Sequence, residues 1–206
     1  MLELIRQTNR RFCQDFVRNP YLCYTEHGQH ALYFATLFAA IPDAAKYGSW
    51  QAQRVCVLQK EYPTATDLGK SKRQHWDIAL LKTPLSSHAA GPRAYDRLRL
   101  QAAIEFGMNE SESHIEDDIN RLAHPHANMD YGFIIHLHRL SDHKSSFSGR
   151  DWSHKSHRLV HKEAIPRLIE GKPIEVYFAI VDLTRPNENG AWLITPDGST
   201  TSIPCV

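Results

Sequence analysis

One short segment, Trp76–Leu81, limits most strongly how this chain can fold. Its letters, WDIALL, are apolar except for Asp77 and show no alternation of polar and apolar residues. A continuous apolar run of this length is typical of a strand that is buried on both faces. The segment therefore predicts a β-sheet whose two faces are covered by helices.

The other elements are predicted from hydrophobic spacing and from turn and capping residues. Helices are expected at 2–18, at 26–41 with Thr25 as N-cap, at 114–122 after a capping box that starts at Ser113, and in the stretch leading to Gly171. Strands are expected at 54–62, 76–81, 98–106, 131–140, 174–183 and 191–195. This order predicts one α/β domain over residues 1–206, with a central mixed sheet flanked by helices. It is not the strict alternation of a dinucleotide fold.

Charge and composition exclude several classes of protein. The chain has 206 residues, with 24 Lys and Arg against 23 Asp and Glu, so its formal charge is +1. This balance excludes a polybasic coat protein and an acidic tail. The longest apolar run, 31–41, is too short for a bilayer, which needs about 20 residues. The four cysteines form no Cys-x-x-Cys pair, so we expect free thiols, a cytoplasmic location and no membrane contact.

Two acidic residues interrupt strands that otherwise look buried. Asp77 lies in the segment above, and Glu105 lies in Ala102–Gly107. A carboxylate is seldom buried without a partner, because removing its charge from water is costly. Either each acid pairs with a nearby Arg or Lys, or the two share a cation such as Mg²⁺, which prefers oxygen ligands.

These residues resemble the PD-(D/E)xK, or restriction-endonuclease-like, nuclease superfamily. The shared features are a helix bearing Glu26, a strand with Asp77 followed by apolar residues, and a strand that ends with Glu105. The Lys60–Thr64 stretch and the αβββαβ order also match, so the resemblance covers about residues 20–140.

The resemblance implies a function and a set of site residues. It implies hydrolysis of nucleic-acid phosphodiester bonds with Mg²⁺ or Mn²⁺, in which Asp77 and Glu105 bind the metal and Glu26 assists. DNA is the implied partner, and a homodimer would suit cleavage of both strands. Glu26 also has a structural explanation, since an acid is stabilising in the first turn of a helix. Glu61 is a reserve candidate for the same site.

The chain departs from the superfamily at Gly107, where the motif has Lys. Residue 107 shares a strand face with Glu105, and glycine supplies no charge there. The loop residues Lys70, Lys72 and Arg73 are the candidates for binding phosphate in its place. Two interpretations remain open: a nuclease with a displaced basic residue, or an inactive nuclease fold that acts as a nucleic-acid-binding or protein-interaction module.

Histidine is unusually frequent, with 13 residues in the chain. Three pairs, His27 with His30, His124 with His126, and His136 with His138, have spacings that bring imidazoles together, and His143, His154, His157 and His161 follow in the sequence. A zinc site needs three or four ligands, and no complete set can be assembled. A histidine-ligated metalloprotein is the third hypothesis, against polar or packed histidines without a ligand.

Two further segments are strongly charged. Residues 110–118 are acidic, which suits either a solvated helix start or extra metal ligation. Residues 144–162 combine five basic residues with Phe147 and Trp152. Basic and aromatic residues together suit nucleic-acid contact, although a solvated loop explains them equally well.

Overall fold

A seven-stranded mixed sheet forms the centre of the protein. The computed structural model describes residues 1–64, 74–87, 97–140, 163–183 and 186–205. The strands of this sheet lie in the order of the chain: β3 (Leu58–Pro63), β4 (His75–Leu81), β5 (Leu100–Met108), β6 (Met129–Leu140), β7 (Ile174–Asp182), β8 (Gly190–Ile194) and β9 (Thr200–Ile203). A separate hairpin consists of β1 (Tyr47–Trp50) and β2 (Gln53–Cys56).

The sheet is antiparallel at both edges and parallel in the middle. Strands β3, β4 and β5 are antiparallel, β5, β6 and β7 are parallel, and β7, β8 and β9 are antiparallel again. Parallel neighbours need a crossover connection, and helix α3 (Glu112–Leu122) lies between β5 and β6 in the chain. All nine residues of β7 are buried, which fits a central strand covered on both faces.

Two N-terminal helices pack against the sheet and position the site. They are α1 (Leu2–Arg18) and α2 (Glu26–Ala40), and residues 163–169 form a further helix, α4. Phe12 of α1, Tyr33 of α2 and Phe106 of β5 form an aromatic cluster with ring centroids 5.2–6.0 Å apart. Edge-to-face contacts of this kind stabilise the fold beyond the effect of burying apolar area. They fix α2 against the end of β5.

The predicted α/β class, with a mixed sheet flanked by helices, is confirmed. Thr25 is also confirmed as the N-cap of α2, since its side chain accepts a hydrogen bond from Gly28 N–H. The single strand expected at 54–62 is wrong, because it divides at Val57 into two strands of different sheets. The capping box predicted at Ser113 is also wrong, since α3 begins at Glu112, with Ser111 as N-cap and no side-chain hydrogen bond at the cap.

No helix in the described parts of the chain is long and apolar enough to cross a membrane.

Candidate active site

Three acidic residues lie at one level of the sheet, on three neighbouring strands. In the register of β3 with β4, Glu61 falls between two paired positions and lies across from Asp77. The pairing of β4 with β5 ends at Ile78–Ile104, so Asp77 and Glu105 are the next residues on the two strands. Glu61 has a left-handed backbone (φ 53°) and interrupts the β3–β4 ladder at this point. Residues far apart in the sequence therefore become neighbours at this end of the sheet.

Asp77 bonds to the backbone where β4 and β5 cease to pair. The N–H of Phe106 donates to Asp77 Oδ2 at 2.8 Å, although this amide lies two residues beyond the last paired position on β5. The side chain of Asp77 is 20% exposed and that of Glu105 only 4%. Asp77 is thus the more accessible of the two acids.

Helix α2 adds a carboxylate and an imidazole above these strands. Glu26, its first residue, accepts a hydrogen bond at Oε2 from Met108 N–H of β5 at 3.1 Å. His30 lies one turn further along, with its Nε2 3.8 Å from both Glu26 Oε1 and Asp77 Oδ2. Residues four apart face the same side of a helix, so the two side chains point together toward Asp77.

Of the three residues that the sequence indicated, Asp77 lies next to Glu105 in the strand register. His30 lies 3.8 Å from both Asp77 and Glu26. Lys70, Lys72 and Arg73, the predicted phosphate-binding residues, lie outside the described residues.

Burial and mutual repulsion act on the carboxyls of this group. Burial, followed by the charge of Asp77, raises the pKa of Glu26. The same two causes raise the pKa of Glu105 well above its usual range. Oxygen ligands crowded in this way suit a hard divalent cation, which would relieve their repulsion. Carboxylate oxygens are the ligand type that Mg²⁺ and Mn²⁺ prefer.

An arginine that the sequence analysis overlooked pairs with Glu105. Arg121 of α3 places its Nη2 2.9 Å from Glu105 Oε1, and its Nη1 is 3.4 Å from Asp118 Oδ1. Its guanidinium also lies over the Trp76 ring, 5.2 Å from the centroid. Pairing with a basic residue was the structural alternative for each acid, and for Glu105 it holds. The spacing of Asp118 and Arg121 on one helix face was the available signal.

The His136 ring lies directly against Gly107, at the position where the superfamily motif has lysine. The two residues are paired in the parallel register of β5 with β6. A Cβ built at residue 107 would lie 2.1 Å from the His136 ring, closer than side chains approach one another. Any side chain at residue 107 would thus need His136 to move.

The other histidine pairs make contacts within the protein. His136 and His138 are both buried, and their rings are joined by a 3.1 Å contact between His136 Nδ1 and His138 Nε2. His124 Nδ1 accepts a hydrogen bond from the N–H of His126 at 3.2 Å. The remaining candidates of the 143–161 segment lie outside the described residues, as does the basic segment at 144–162.

The raised pKa values of the buried acids Asp118 and Glu105 predict that the stability of the protein depends on pH. Burial raises the pKa of Asp118 to about 7, although His114 and Arg121 oppose the shift. Such a carboxyl holds its proton more tightly in the folded chain, so the free energy of unfolding should fall as pH rises from about 4 to about 7, by up to about 1.4 kcal/mol per pH unit. Glu105, whose pKa is also raised, adds to this slope. Urea unfolding across this pH range measures it.

A pair of neighbouring aspartates provides the control for this prediction. Asp118→Asn should flatten the pH dependence, because it removes the titrating group. Asp117→Asn, at an exposed position of the same helix, should retain the slope of the wild type. If the stability of Asp118→Asn follows pH as the wild type does, Asp118 is not the source.

No protein-family model, curated protein or solved structure matches the chain. Its function is therefore inferred from the geometry of the site.

Proposed function

We propose that this protein is a divalent-metal-dependent nuclease that hydrolyses phosphodiester bonds on a restriction-endonuclease-like core. The observation that carries the proposal is that Asp77 and Glu26 accept hydrogen bonds from Phe106 N–H and Met108 N–H, next to Glu105 on the same strand. The chain order α2–β1–β2–β3–β4–β5–α3–β6 contains an αβββαβ series once the β1–β2 hairpin after α2 is set aside, which supports the proposed core.

Asp77 and Glu105 would hold the metal ion, joined by Glu26. Glu105 would contribute through Oε2, because its Oε1 is paired with Arg121. When bound, such an ion lowers the pKa of a water molecule and stabilises charge that develops on a phosphate. Met108 N–H fixes Glu26 and Phe106 N–H fixes Asp77, so these two carboxylates are oriented before any ion or substrate arrives.

Aromatic side chains next to the site suit a nucleic acid. Tyr21 and Tyr24, just before α2, are 52% and 73% exposed, and their rings lie 6.5 Å apart. The guanidinium of Arg139 is about 5 Å from both ring centroids. Exposed aromatic faces stack on nucleic-acid bases. Tyr24 lies two residues before Glu26 in the chain, so a nucleic-acid strand stacked on the two tyrosine rings would run close to the carboxylates.

A basic residue next to Glu61 can steady a phosphate. Lys60 is exposed, and its charge acts on His30. It therefore joins Lys70, Lys72 and Arg73 as a replacement for the motif lysine.

A second candidate function is the inactive module, and two observations favour it. Glu105 is paired with Arg121, which limits its capacity to bind metal. Gly107 is packed against His136, so a basic side chain at this position would require His136 to move. In this case the fold would bind nucleic acid without cleaving it.

Incubation of the purified chain with supercoiled plasmid DNA and with single-stranded RNA tests the proposal. We expect nicked or linear products with Mg²⁺ or Mn²⁺ and none with EDTA. A gel shift without cleavage under every metal condition would instead support the inactive module. Cleavage that persists in EDTA would contradict the proposed metal dependence.

A further inference from the structure

A second group of possible metal ligands lies beside the carboxylates, and two of its three members are imidazoles. His27 and His30 of α2 and Glu61 of β3 each offer a ligand atom, and these atoms all lie within 4.8 Å of one another. The two histidines are three apart on the helix, which places their rings side by side, with centroids 5.7 Å apart.

His30 supplies the observation that points to a ligand. Its side chain is 1% exposed, and among the described residues neither ring nitrogen has a hydrogen-bond partner. Buried polar groups are normally hydrogen-bonded, so an exception calls for a missing ligand, ion or water. Its contacts with Glu26 and Asp77, at 3.8 Å, are too long for hydrogen bonds.

The group is accessible as well as unsatisfied. An imidazole binds a metal through a ring nitrogen, and among the described residues no hydrogen bond occupies either nitrogen of His30. His27 and Glu61 are both exposed, so an ion can enter from solvent.

We propose that His27, His30 and Glu61 bind a transition-metal ion of the Zn²⁺ class. Two imidazoles and a carboxylate suit Zn²⁺, Co²⁺ or Ni²⁺, whereas Mg²⁺ prefers oxygen ligands alone. Three protein ligands leave a coordination position open to water or substrate, as in catalytic zinc sites. The site goes beyond the proposed nuclease function, since it binds its ion whether or not the chain cleaves nucleic acid.

Titration of the metal-free protein with Co²⁺, without nucleic acid, tests this site. Co²⁺ bound by imidazole at low coordination number absorbs visible light far more strongly than hydrated Co²⁺. We expect a saturable absorption that Zn²⁺ abolishes by displacement and that excess Mg²⁺ leaves in place. His27→Gln and Glu61→Gln should each weaken Co²⁺ binding at least about tenfold, since even outer-shell partners of a metal commonly matter by that factor.

Both substitutions are at exposed positions, so the variants should unfold at the wild-type temperature when no metal is present. The matched control is the double variant His124→Gln/His126→Gln, which removes another adjacent pair with ring centroids 5.2 Å apart. It should bind Co²⁺ as the wild type does. Unchanged binding in His27→Gln and Glu61→Gln, loss of binding in the control, or displacement by Mg²⁺ as effective as by Zn²⁺ would overturn the proposal.

Discussion

Asp77→Asn is expected to reduce metal-dependent cleavage by at least about 100-fold, because even outer-shell partners of a metal can matter by that factor. Asp77 and Glu105 directly follow the last pair of β4 with β5, and Asp77 lies 3.8 Å from His30, as Glu26 does. The asparagine oxygen can still accept the Phe106 N–H, so the fold should be preserved while the charge is lost. Plasmid cleavage rates with Mg²⁺ and Mn²⁺ measure the effect.

Asp130→Asn is the matched control for this experiment. Asp130 is a half-buried aspartate of β6 that forms ion pairs with Lys82 and Arg99, and it belongs to none of the proposed site residues. The control variant should cleave at the wild-type rate. Equal rates for Asp77→Asn and the wild type would show that this centre does not carry the reaction.

Arg121→Met is expected to destabilise the protein by about 3–5 kcal/mol, the usual cost of removing one partner from a buried ion pair. The side chain is 14% exposed and pairs with Glu105 and Asp118, whose side chains are 4% and 3% exposed. Methionine keeps much of the apolar contact with Trp76 but leaves both carboxylates without their guanidinium. Urea unfolding near neutral pH measures the loss.

A second substitution separates the lost charge from the lost packing. Adding Glu105→Gln should restore part of the stability, because it removes one of the two buried acids that lose their guanidinium partner. Arg99→Met, in which an arginine with a 43% exposed side chain leaves its pair with Asp130, should cost at most about 1 kcal/mol. An Arg121→Met variant no less stable than the Arg99→Met variant would contradict the assigned role.

The apolar strands and the acids within them could be predicted from sequence because those signals are local. Asp77 and Glu105 are predictable as site residues because they are charged residues within apolar runs. Glu26 is predictable from the resemblance to a family pattern. The spacing of His27 and His30 predicted that their rings are adjacent, but not that His30 is buried. Its burial depends on α2 packing against Phe106, which is a contact between distant parts of the chain.

The partners of these acids could not be predicted in the same way. Arg121 belongs to a helix that follows the acids in sequence, and only the crossover from β5 to β6 places it against Glu105. Likewise, the sequence indicated only that Gly107 stands where the motif has lysine. The register of β5 with β6 shows that His136 occupies the space beside it.

The sequence by itself determined the α/β class, the buried central strands and the presence of acids within them, because hydrophobic spacing and burial cost act over a few residues. The tertiary structure alone decided which charges meet. It placed Glu61, Asp77 and Glu105 at one level of three strands, set His27 and His30 above them, and gave Glu105 an arginine partner. Strand register and helix packing fix these distances, and both depend on contacts between residues far apart in the chain.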